Sequence, residues 1–256
     1  MGKRLDFVTF GRGENGSLFD GYLKIKYDVF VEEMRWNKIP HTKADGMALP
    51  DQYDGESKFC GAVDQEDGVV GVVRRTLPKR LADMYRAKLY SDFAALDFVR
   101  ALEGRIATIN ALAVRREYRW AHFVCHRDTT LDPQPIAVSE TLMKNMILEL
   151  RNMGAEVILL SVMDGPASSL MRRMGFKTIH PPYIFPCKDY SSEEDAPNLT
   201  VFDMAIITRD FHPGQNAELK RAAPDDRTTS QAITRQRSPE RPKPTRWSVF
   251  MMAPTW

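Results

Sequence analysis

From Ser139 onward the sequence reads as one helix, one strand and a second helix with almost no connecting chain, and that unit constrains the fold more than any other segment. Leu142, Met143, Met146, Ile147, Leu150 and Met153 recur at three- and four-residue spacing, so they form one apolar face of a helix. Ser139 is placed to cap it, and Gly154 stops it. AEVILLSV follows as a strand with almost no polar position, which predicts burial. Pro166 then opens a short helix, PASSLMRRM, that Gly175 ends.

The flanking sequence supplies partners for that unit. Phe19, Leu23, Phe30 and Met34 predict an amphipathic helix from Ser17 to about Trp36, with Lys24, Lys26, Asp28, Glu32 and Glu33 at polar positions. A polar loop with prolines and glycines runs to Ser57. KFCGAVDQ and GVVGVVRRTL, separated by Glu66, Asp67 and Gly68, then read as an antiparallel hairpin. KRLADMYRAKLYSDFAAL has mixed helical patterning, RIATINALAV is a further strand, and GFKTIH with NLTVFDMAIIT make a last strand pair. A hairpin followed by alternating helices and strands predicts an α/β fold of the α+β, mixed-sheet kind, with one main core. The folded body is assigned to residues 1–212. Residues 213–256 are rich in Pro, Arg, Ser and Thr without apolar periodicity, so they are expected to form a flexible, disordered tail. Its terminal WSVFMM is read as a solvated end, with docking back or partner binding as the alternative.

Composition narrows the function classes. No window holds the roughly 18 consecutive apolar residues of a spanning helix, and the amino terminus turns polar before a signal-peptide core is complete, so a cytoplasmic protein is expected. Cys60, Cys125 and Cys187 are odd in number, widely spaced and without a CxxC pair, which argues against a disulfide framework or a cysteine zinc site. His122, Cys125 and His126 lack an accompanying HExxH pattern, so no metal is expected. Between residues 220 and 246 eight basic side chains face three acidic ones, which leaves the body mildly acidic although the whole chain carries +2. The folded part therefore lacks the basic footprint of a nucleic-acid protein.

NALAVRREYR, SETLMKNMILELRNMG and EVILLSV…ASSLMRRMGF, in that order, resemble the GNAT superfamily. That resemblance implies a GNAT-like acyl-CoA N-acyltransferase fold in which one central strand splays from its neighbour and the gap holds the pantetheine arm of an acyl carrier. The family's RxxGxG pyrophosphate loop is missing after Arg119, and with it the closely spaced backbone N–H groups that would crowd around a pyrophosphate. Its absence points to the acyl-homoserine-lactone synthases, a branch that lacks the loop and often takes acyl groups from acyl carrier protein. KIKYDVFVEEMRW resembles their first-helix motif through Lys26, Phe30 and Trp36. DQYD resembles their D-x-x-D through Asp51 and Asp54, and GVVGVVRRTLP their strand with a buried arginine, Arg74. Phe93 falls where they place another aromatic. The similarity covers about residues 20 to 210. Their E-x-x-R pair falls here on Thr108 and Ala111, and Lys26 replaces an arginine that could grip a carboxylate with two parallel bonds. N-acyl amino acid synthases share the helix and acidic loop without requiring that pair.

Amide formation from a thioester needs a neutral amine, a proton acceptor and dipoles for the tetrahedral oxyanion. Asp51, Asp54 and Arg74 are candidates to bind or orient the acceptor, with Glu33 as a candidate proton acceptor; an ion cluster pinning the loop to the sheet, and a solvated helix face for Glu33, are the alternatives. Lys26, Phe30, Trp36, Phe93, Thr108, Asn110, Ser139 and Met143 are candidate substrate contacts, against core packing for Phe30 and for the methionines. Arg115, Arg116 and Arg119 would meet a carrier phosphate or an acidic carrier-protein surface, or form a solvated charge run. The resemblance implies no tightly bound cofactor, with acyl-ACP or acyl-CoA, and S-adenosylmethionine, as substrates. Partners expected are a small-molecule amine and acyl carrier protein. The alternatives are an N-acyl amino acid synthase or other GNAT N-acyltransferase, and an inactive GNAT scaffold whose tail recruits a partner.

Overall fold

The computed structural model describes residues 5–36, 39–77, 102, 104–119, 137–179, 181–185 and 199–213. The predicted helix within 79–96, Phe93, the His122–His126 cluster, Cys125, Cys187 and the tail beyond 213 lie outside the described residues.

A mixed sheet forms the centre, flanked by helices on both faces. Its strands in chain order are β1 (Leu5–Gly11), β4 (Lys58–Asp64), β5 (Gly68–Thr76), β6 (Ile106–Val114), β7 (Val157–Met163), β8 (Lys177–Thr178), β9 (Tyr183–Phe185) and β10 (Leu199–Ile207). In space they run β1-β4-β5-β6-β7-β10-β8, with β9 also on β10. A two-residue ladder, β2 (His41–Thr42) on β3 (Met47–Ala48), folds the polar loop separately. The β4–β5 hairpin and the helix-strand-helix unit form as the hydrophobic periodicity predicts. The parallel pair β6–β7 is joined through α2 (Val138–Asn152), which occupies the crossover that parallel strands need.

One face of the sheet packs against α2 and α3 (Pro166–Arg173), burying Leu142, Met146, Leu150, Leu170 and Met171 against Val73, Ile109, Leu112, Ile158 and Leu160. Gly154 (φ +91°) and Gly175 (φ +95°) end these helices in the left-handed region, where a side chain would be strained. The N-cap of α2 is Ala137, and Ser139 sits buried within the first turn, which corrects its assignment as the cap.

The opposite face carries α1 (Gly16–Lys26), whose Asn15 side chain caps it by accepting from the Leu18 N–H. The predicted helix continues only to Glu33, short of Trp36, and with wider turns: Tyr27–Glu33 is π-helical and Met34 N–H reaches back to Val29 O. Arg35 then adopts φ +61° and Trp36 N–H bonds Phe30 O at 2.9 Å, a closing pattern that turns the indole inward. β1 goes unrecognised in the sequence, because seven residues at a polar amino terminus carry too short a pattern to separate from a leader.

Helix α1 lies close on β5. A Cβ on Gly21 would come within 2.5 Å of Val69 Cγ2. Gly21→Ala is therefore expected to lower stability by about 1–3 kcal/mol through overpacking, beyond the roughly 1 kcal/mol that alanine gains in helix propensity. Urea denaturation checks this, and an unchanged midpoint would mean that the helix stands further off.

Candidate active site

The D-x-x-D loop closes on itself before it touches the sheet. Asp51 N–H donates to Asp54 Oδ2 at 2.8 Å and Tyr53 N–H to Asp51 Oδ1 at 2.9 Å, so the short acidic side chains replace backbone partners in a tight turn. The turn is thereby able to present two carboxylates together. Arg74 on β5 receives both: its Nη1 lies 2.7 Å from Asp51 Oδ2 and 2.6 Å from Asp54 Oδ1. Lys26 from the end of α1 adds Nζ at 3.0 Å from Asp51 Oδ2, and Tyr22 donates its hydroxyl to Asp54 Oδ1 at 3.0 Å.

Two cations thus meet two anions in a buried cluster joining α1, the loop and β5. Burial pushes the Asp51 carboxyl up, but Arg74 and Lys26 outweigh it and hold the group below its ordinary 3.8. Burial likewise raises the Tyr22 phenol well above 10.0, so it stays a hydrogen-bond donor at neutral pH. Of the two readings open for Asp51, Asp54 and Arg74, the geometry supplies the loop-pinning cluster directly, and its charges cancel internally.

Arg74 also reaches β6. Its Nε donates to Asn110 Oδ1 at 2.5 Å, across a strand pair in which Arg74 and Asn110 are partners. Just beyond, β6 bulges: Val73 alone stands opposite Ala111 and Leu112, and Ala111 takes φ +53°. On its other edge β6 pairs with β7 only at Ile106↔Val157, Ala107↔Ile158 and Thr108↔Leu159. From residue 109 to 114 and from 160 to 163 the described residues show no ladder between the two strands. The central strands therefore part, and the backbone edges that line the opening lack strand partners there.

Thr108 and Asn110 stand on the α1 side of the sheet at the root of this opening, 2% and 3% exposed. The Thr108 hydroxyl and the Asn110 amide nitrogen have no hydrogen-bond partner among the described residues. A buried hydroxyl without a partner costs about 1–3 kcal/mol. Thr108→Val should accordingly raise the melting temperature; a lower melting temperature would show that the hydroxyl is satisfied in solution.

The remaining candidates divide. Phe30 and Trp36 are brought together, rings 5.7 Å apart and stacked, but inside the core with Tyr22, Phe59 and Met34 rather than facing an open cavity. Met143 is fully buried in the α2 face of the core. Glu33 is gripped by Arg119 through two bonds of 2.7 and 2.5 Å, so the arginine is buried and paired rather than part of a solvated charge run, while Glu33 stays partly exposed. Arg119 Nε also donates to Val114 O, fixing the end of β6. Arg115 and Arg116 line an open depression of about 420 Å³ with Lys24, Asp28 and Glu33.

Ser161 on β7 and Asp203 on β10 were missed in the sequence. They are strand partners, both buried, and the serine hydroxyl donates to the carboxylate. Ser161 follows Leu159 by two residues, so it faces the same side as Thr108 and Asn110 across the opening. A hydroxyl and a carboxylate in otherwise apolar strands, VILLSVM and LTVFDMAII, were the available signal.

Residues 25–126 match the acetyltransferase (GNAT) domain family model. Among solved structures, the fold is similar to the CoA-dependent acyl-homoserine lactone synthase BjaI with MTA (14% identity, 93% of this chain and 95% of that one, TM-score 0.57). The same enzyme with SAM and isopentyl-CoA aligns at 15% identity over 93% and 95%, TM-score 0.55. The CoA-dependent acyl-homoserine lactone synthase MesI aligns at 12% identity over 84% and 94%, TM-score 0.53. No curated protein matches the sequence.

Proposed function

The chain has the GNAT acyltransferase fold, and from that premise we propose that it is an N-acyltransferase acting on a small-molecule amine, with an acyl thioester of CoA or acyl carrier protein as donor. The observation that carries this reading is the parting of β6 from β7 beyond Thr108 and Leu159, with the bulge at Ala111 facing it. A pantetheine arm is an extended chain with amide groups, and unpaired strand edges are the partners such a chain needs. The amine would approach from the α1 side, where the buried polar groups of Thr108, Asn110, Ser161 and Arg74 gather.

S-adenosylmethionine is the first acceptor to test, supported by the complexes of BjaI. Acylation of its amine would be followed by attack of its carboxylate on the carbon bearing sulfur, closing a lactone and releasing methylthioadenosine. An amino acid acceptor is the second reading. It is favoured by Thr108 and Ala111 standing where the lactone synthases carry their charged pair, because N-acyl amino acid synthases share the first helix and the acidic loop without requiring that pair.

Incubating the purified chain with acyl-CoA or acyl carrier protein thioesters and each amine, with products read by mass, tests the proposal. Acyl-homoserine lactone with stoichiometric methylthioadenosine supports the first acceptor, and an N-acyl amino acid the second. Absence of any thioester-dependent amide across the panel would contradict the acyltransferase reading.

A further inference from the structure

We propose that the side-chain amide of Asn110 is the donor that receives the thioester carbonyl oxygen as it becomes a tetrahedral oxyanion; this rests on the acyltransfer reading above. Arg74 Nε can only donate, so the Asn110 atom facing it at 2.5 Å is the oxygen. The planar amide then carries its nitrogen on the other arm, away from Arg74. That nitrogen is buried and has no partner among the described residues. Asn110 is also the second residue past the last β6–β7 pair, at Thr108, so it stands inside the opening and not beneath a closed ladder.

Apart from Thr108, the other side-chain donors on this side of the opening are already engaged. Lys26 and Arg74 are bonded to Asp51 and Asp54, and the Ser161 hydroxyl to Asp203. Thr108 belongs to the last closed β6–β7 pair, one same-face position before Asn110, so Asn110 is the one of the two that stands past the end of the ladder.

The cation behind Asn110 suits it to this task. A guanidinium bonded to the amide oxygen draws electron density from the nitrogen and strengthens its N–H as a donor. The Arg74 cluster, itself too well paired to bind a substrate charge, would thus act on the reaction through Asn110. Rigidity follows from the same contact, because the amide cannot turn without breaking its bond to Arg74, and a fixed donor needs no reorganisation when charge develops.

In the step itself the amine nitrogen attacks the carbonyl carbon, and the C=O π pair moves onto oxygen, where the Asn110 N–H meets it. Collapse of the intermediate restores C=O and breaks C–S. The thiolate leaves and the proton of the former amine passes to it, giving amide and free thiol with no other reactant.

The test compares two CoA ligands on the full chain. An S-alkyl-CoA thioether lacks the carbonyl; a trifluoromethyl-ketone thioether of CoA hydrates to a tetrahedral centre that resembles the intermediate. Asn110→Asp keeps the size and an acceptor for Arg74 while removing the N–H. It is expected to leave thioether affinity unchanged and to weaken the ketone by at least about tenfold, with turnover falling about 10²–10³-fold. Equal losses for both ligands, or none for either, would overturn the role of Asn110 alone. If the wild-type chain binds neither ligand, the acyltransfer reading falls and takes this role with it. Should Asn110→Asp fail to melt cooperatively, the same comparison on Asn110→Leu decides.

Discussion

Arg74→Met is expected to destabilise the protein by about 3–5 kcal/mol, measured as a fall in the urea midpoint at neutral pH. The side chain is 1% exposed and joins Asp51, Asp54 and Asn110, so its removal leaves two carboxylates facing a single buried lysine. The cost comes mainly from those uncompensated charges, so adding Asp54→Asn to Arg74→Met should recover part of it. Acid should act in the same direction. The folded Asp51 carboxyl lies below its ordinary 3.8, so the stability it contributes is complete above that value and is lost as the pH falls through the lowered one. The gap between wild type and Arg74→Met should therefore narrow below about pH 4. A gap that stays constant into acid would show that Arg74 stabilises by packing rather than by charge.

Trp36→Ala is expected to cost a further large amount, about 3–5 kcal/mol, because the indole is 0% exposed and stacked on Phe30 within the α1-side core. The informative companion is Trp36→Phe, which keeps an aromatic body and leaves a smaller cavity. A core residue predicts a smaller stability loss with the acceptor KM unchanged. A raised acceptor KM at near-native stability would instead return Trp36 to the wall of an acceptor pocket, the role the sequence resemblance implied.

These two residues show where sequence reading succeeds and where it stops. The helix at 138–152 and the strand at 157–163 were legible because burial on one stripe or both faces writes itself into periodicity, and Gly154 marks the end chemically. Asp51, Asp54 and Arg74 were selected by motif, but whether they serve a ligand or one another depends on distances across elements that no local pattern encodes. Trp36 points inward because the π-helical turns and the left-handed Arg35 rotate the chain, and neither Arg35 nor Ala111 is a residue type that announces a positive φ. Ser161 and Asp203 escaped notice for a related reason: one polar residue in an apolar strand acquires meaning only when its strand partner is known. The expectation that one central strand splays from its neighbour came from resemblance alone, and the three-residue ladder between β6 and β7 is its geometric counterpart.

A crystal structure of the full chain with the S-alkyl-CoA thioether bears most directly on acyl transfer. The pantetheine arm is expected between residues 109–114 of β6 and 160–163 of β7, its amides bonded to those strand edges. Finding the ligand elsewhere, or the two strands hydrogen-bonded to each other along that stretch, would contradict it.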